Sequence, residues 1–151
     1  MRKPLLPVVP ALLLLIAVVL AGCTGPVRSF GVYESKAART AKEEASAVEN
    51  ARLVVQAATG HKAFGRYLSQ VLTETGDEAS SIQSTFDTIQ PPDGRSDQLQ
   101  AELDDLLDAA ATTIAALRTA ARRGDFGAMP RLAAPLAGVS RKLDEFARAH
   151  Q

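Results

Sequence analysis

The 151-residue chain has no tryptophan, one cysteine, two histidines and only 5% aromatic residues, and its 17 basic residues are matched by 17 acidic ones. Each shortage removes a class of protein. A lone cysteine forms no internal disulfide, so stability has to come from packing. Balanced charge supplies no basic stripe to neutralise successive phosphates, which argues against nucleic acid as a partner, and the same balance argues against a polybasic membrane patch. The scarcity of aromatic residues disfavours a sheet, whereas abundant alanine favours closely packed helices.

The charge and hydropathy that are present are unevenly placed. Arg2 and Lys3 precede an apolar run from Leu5 to Gly22, and Leu20, Ala21 and Gly22 lead directly into Cys23, the only cysteine. A basic start, a hydrophobic core and small residues before a cysteine resemble the lipobox of exported bacterial lipoproteins. The resemblance implies that a signal peptidase recognises Leu20, Ala21 and Gly22, that cleavage leaves Cys23 as the lipidated first residue, and that the mature chain is held on the extracytoplasmic face of the cell membrane. Pro7 and Pro10 leave Ala11 to Leu20 as the uninterrupted apolar stretch, the length of a signal-peptide core and short of a membrane span. An uncleaved anchor is the alternative, and it too places the domain outside, because Arg2 and Lys3 keep the N-terminus inside.

Residues 1–22 are thus read as a signal peptide and 23–31 as the lipidated N-terminus and a flexible tether, since Gly25, Pro26 and Gly31 interrupt it and no periodicity appears. Residues 32–151 form one domain. Without Arg2 and Lys3 the mature chain keeps 15 basic residues against 17 acidic ones, a net charge of −2.

Helical periodicity runs through that domain. Ala37, Ala41, Ala45, Val48 and Val55 mark a first apolar face ending near Gly60; Phe64, Leu68, Val71, Thr75, Ala79, Ile82, Phe86 and Ile89 mark a second, ended by Pro91 and Pro92. Asp97 and Gln100 have capping-box spacing ahead of a third seam through Leu99, Leu103, Leu106, Ala110, Ile114, Leu117 and Ala121. Gly124 supplies a stop and Asp125 a new N-cap. Met129, Leu132, Leu136, Val139, Leu143 and Phe146 carry the fourth seam, which Pro135 should bend or delay.

Four segments of similar length, roughly Val32 to Thr59, His61 to Gln90, Ser96 to Arg123 and Phe126 to Ala149, joined by short turns, predict an all-α, antiparallel up-down-up-down four-helix bundle. The weakest joint is at Gly60. With no proline there, the first two helices could run on as one and break at Gly76, giving three unequal helices.

Few residues offer chemistry. Asp104, Asp105, Leu106, Leu107 and Asp108 resemble the aspartate-rich motif with which isoprenoid diphosphate synthases hold magnesium, but only over five residues. A helical wheel sets the three aspartates opposite the apolar stripe, as a solvated face. His61 and His150 fall at opposite ends of a bundle, so no metal site is expected from them. No nucleophile elbow and no phosphate loop is present, and no catalytic residue is assigned. Arg52 and Glu78 interrupt the seams of helices one and two, with Thr75 and Gly76 between them in height. These are the candidate polar fittings of a pocket between helices, although long side chains also send their heads to solvent.

The expected function is therefore that of a membrane-anchored extracytoplasmic module, a scaffold or accessory without catalytic activity or cofactor, binding another envelope protein and no nucleic acid. The other reading is a carrier or sensor holding a small apolar ligand between bundle helices.

Overall fold

The computed structural model describes residues 27–59 and 65–151. The expected signal peptide and Cys23, and residues 60–64 with Gly60, His61 and Phe64, lie outside those residues. Among the described residues the chain is helical: α1 Phe30–Thr59, α2 Gly65–Asp87, α3 Gly94–Arg123, α4 Met129–Ala133 and α5 Leu136–Ala149. α4 and α5 together form the fourth arm.

Helix α1 starts at Phe30, two residues before the expected Val32. Its first turn closes when the Tyr33 amide donates to the Ser29 carbonyl at 3.1 Å, and the Arg95 guanidinium sits 3.9 Å from the centre of the Phe30 ring, a cation–π contact that favours order there. α2 runs unbroken through Gly76 and packs beside α1, so the three-helix alternative does not apply.

The start of α3 corrects the capping assignment. Asp93, with extended backbone at φ −159°, is the N-cap, and its carboxylate accepts from both the Ser96 amide (2.9 Å) and the Ser96 hydroxyl (2.7 Å). Those bonds hold the Asp93 carboxyl below its ordinary range, the Ser96 hydroxyl contributing most. Asp97, one turn on, is the first-turn acid that suits the helix dipole instead of the cap. At the other end Gly124 adopts φ +71° and its amide turns back to Ala120 and Ala121, a left-handed stop that a side chain would strain. Asp125 accepts from the Ala128 amide at 3.2 Å, and Pro135 divides the last arm into α4 and α5, as its missing N–H requires.

Side-chain links give the relative directions. Gln83 reaches Asp108 and Asp77 approaches Arg118, so α2 and α3 are antiparallel; Glu34 meets His150 and Glu49 meets Ser140, so α1 and α5 are too. Each helix packs on its two neighbours, and α1 also touches α3 across the diagonal. Ala37, Ala41, Ala45, Ala47, Ala51 and Ala58 are all buried on α1, and their small side chains permit that approach. α2 and α5 flank the pair without substantial contact with each other. The core is filled by Tyr33, Leu72, Phe86, Leu103, Leu107, Ile114, Leu117, Met129, Leu136 and Leu143.

Candidate functional site

The three polar seam residues do not converge. Arg52 lies on the side of α1 that faces α5, where it bonds both oxygens of Glu49 at 2.7 and 2.9 Å; Ser140 of α5 donates to the same carboxylate at 2.7 Å. Thr75 is buried on α2 and Glu78 is exposed. The layer beside them is closed. A Cβ added at Gly76 would stand 2.9 Å from Arg118 Cδ and Nη1, so the arginine side chain fills the space that a looser layer would leave open.

The buried acid of the bundle is Glu44, which the periodicity could have revealed. Residues 37, 41, 44, 48, 51 and 55 follow the three-four alternation of a seam, and Glu44 occupies one of its core positions. It is 1% exposed, and neither carboxylate oxygen has a hydrogen-bond partner. Burial pushes its carboxyl up to about 7, with the charge of Glu78 adding to the effect, because a carboxylate stripped of water and set near a like charge favours its protonated form.

A second strained polar group sits at the end where α1 begins. Tyr33 is fully buried with its ring 5.6 Å from that of Phe86, and its hydroxyl has no partner. Burial first, then Asp104, Asp97 and Asp87, raise it to about 12. Asp104 departs from the expected solvated face: its Oδ1 is buried and unpartnered, and burial followed by Asp87, Asp108 and Asp105 raises its carboxyl. Asp105 and Asp108 are exposed as the wheel indicated. Nearby, His150 is half-buried, with Nδ1 3.0 Å from Glu34 Oε1 and its ring 4.6 Å from that of Phe146. It is a structural contact between α5 and α1 more than a free surface group. Among the described residues no cluster of three or more acidic, histidine or cysteine side chains is arranged to hold a metal ion.

The opposite end carries a groove with three arginines on its lining. Of about 740 Å³, it runs between the start of α2 and the end of α3, lined by Gly65, Arg66, Ser69, Gln70, Thr73, Glu74 and residues 121–124. Arg66, Arg122 and Arg123 are all exposed, and Arg122 is steadied by a 3.4 Å contact to Thr119. Glu74, the acid on this wall, accepts from Gln70 at 3.0 Å. The positive end of the α2 dipole lies at the same place. Arg122 and Arg123 are visible in the sequence as a basic pair; Arg66 joins them only through the antiparallel pairing of α2 with α3.

No helix among the described residues is long and apolar enough to cross a membrane. Comparison with protein-family models, curated proteins and solved structures returns no match for this chain.

Proposed function

We propose that the chain is a lipid-anchored extracytoplasmic module that works by binding an acidic segment of another envelope protein at the end of the bundle remote from its tether. The observation that carries this reading is the grouping of Arg66, Arg122 and Arg123 along one groove. The tether enters α1 at the end that also holds Asp93 and His150, whereas the groove lies beside Gly124, a helix length away. Attachment through Cys23 and engagement through the arginines would then use opposite ends of one rod, leaving the groove to face away from the bilayer. Guanidinium groups suit carboxylates because they donate paired hydrogen bonds in a fixed fork, and such charges chiefly set encounter rate and partner choice.

In-cell cross-linking followed by co-purification tests the reading. Wild-type protein should yield a discrete protein adduct that Arg122→Glu with Arg123→Glu weakens or abolishes. An unchanged set of adducts in that variant would remove the groove from the interaction, and a retained small mass in native mass spectrometry with no protein adduct would favour the carrier. Location is tested separately: Cys23→Ser should release or mislocalise the protein without unfolding the bundle, because two acyl chains are needed for firm attachment.

A further inference from the structure

We infer that Glu44 makes the bundle a proton-operated latch, in which α2 is held closed against the rest of the bundle while Glu44 is neutral and loosens when it ionises. The geometry supplies each part. Glu44 sits at a core position of α1, 1% exposed, with both oxygens unpartnered. An ionised carboxylate at that place needs a cation or water, and no protein group among the described residues bonds either oxygen.

The groups around it leave no internal remedy. From α2 the charge that acts on it is Glu78, of the same sign. Arg118 of α3 lies over Gly76 and is turned toward Asp77 at 3.5 Å, Arg141 and Lys142, level with Glu44 on α5, are exposed, and none of these cations offsets the shift at Glu44. The buried positions of α3 on either side of this level are Leu107, Ala110 and Ile114, and α5 buries Leu143 and Phe146, all uncharged. Ionisation is therefore relieved by admitting water between helices.

Helix α2 is the arm that can yield. Its buried residues are Leu68, Leu72, Thr75, Gly76, Ala79 and Phe86, and the middle three are small, so the stretch level with Glu44 buries the least hydrocarbon. Among the described residues no side-chain hydrogen bond joins α2 to α1. Its two polar links to α3, Gln83–Asp108 and Asp77–Arg118, are at the surface, where such contacts hold weakly. α5, by contrast, is bonded to α1 at Glu49–Ser140 and Glu34–His150. Departure of α2 leaves α1, α3 and α5 in mutual contact, since those three pack on one another without it. The space outside a cytoplasmic membrane takes the pH of its surroundings, so a chain located there would meet the change directly.

Amide hydrogen exchange read by mass spectrometry on the full-length chain in detergent, at pH 5.5 and pH 8.5 and corrected for intrinsic exchange rates, tests the latch. Protection across Gly65–Asp87 should fall roughly tenfold or more at the higher pH and lie below that of α3 and α5, which then exchange only by global unfolding, as expected where local opening is separable from global unfolding. Glu44→Gln, nearly the same shape and unable to ionise, should abolish the difference; Glu44→Leu serves the same purpose if the amide variant folds poorly. An equal loss of protection in either uncharged variant, an α2 no less protected than α3 and α5 at the higher pH, or no loss in the wild type would each overturn the inference.

Discussion

Ser140 donates to Glu49 across the seam between α5 and α1, Oγ to Oε1 at 2.7 Å, and Arg52 holds the same carboxylate from the next turn of α1. The serine hydrogen bond is the largest reason that Glu49 is held below the ordinary carboxylate range. Removing it with Ser140→Ala should destabilise the protein by about 1 kcal/mol, below the roughly 1.5–3 kcal/mol of hydrogen bonds to charged groups because Glu49 is partly exposed. The Glu49 titration midpoint, followed by NMR, should rise toward its ordinary value; an unmoved midpoint would show that Arg52 alone sets it.

Glu44 and Glu49 lie about a turn and a half apart on one helix and respond to pH in opposite senses. Glu49 is lowered, so its contribution is present above about pH 4.5 and lost as acid protonates it. Glu44 is raised from 4.5 to about 7; its contribution is full below pH 4.5, declines as pH rises to about 7 and is level beyond. The decline is on the order of 3 kcal/mol at roughly 1.4 kcal/mol per unit. Urea unfolding between pH 4.5 and 8.5 should give a falling midpoint in the wild type and a nearly flat one in Glu44→Gln. A wild-type midpoint that rises across this interval would contradict the assignment.

Tyr33 should behave unlike most buried tyrosines. Its hydroxyl is enclosed without a partner, and Tyr33→Phe removes that group while preserving the ring against Phe86. Thermal unfolding should show a gain of up to about 1 kcal/mol where a loss is customary, since the cost of stripping water from an unpaired hydroxyl disappears. A loss of more than about 1 kcal/mol would mean that the hydroxyl has a bond in solution.

The register of α3 can be checked with adjacent leucines. Leu107 is 1% exposed and belongs to the core, whereas Leu106 is only partly buried. Leu107→Ala should cost about 3 kcal/mol and Leu106→Ala about 1 kcal/mol or less, because the cavity term applies fully to the enclosed site alone. Equal costs would place both leucines on the boundary of the core.

The bundle itself was legible because a three-four alternation leaves little choice of secondary structure, and Gly124 and Pro135 act through local backbone geometry that sequence states directly. Leu106 in place of Leu107 shows where the alternation is ambiguous: adjacent leucines differ by only 100° on the wheel, and tertiary packing decides between them. Asp93 does not stand out in sequence as the cap because Asp97 offers an equally good spacing one turn later, and only the backbone distinguishes them. Glu44 stands at a seam position, yet the alanines on both sides at Ala41 and Ala45 continue the apolar stripe past it. The meeting of Arg66 with Arg122 and Arg123 depends on how α2 and α3 pair, which no single stretch of sequence encodes.

The contact of His150 with Glu34 brings the last turn of α5 back to the first turns of α1, so both described chain ends leave from the same pole. Mechanical response follows from that arrangement. Tension between a membrane attachment at this pole and a partner gripped at the other would run parallel to the helix axes, from the start of α1 to the groove walls on α2 and α3, and load the apolar contacts of α1 with those helices together. Tension between the two chain ends would instead unzip the α1–α5 seam contact by contact, beginning at His150. In the proposed attachment the rod is loaded in its resistant direction.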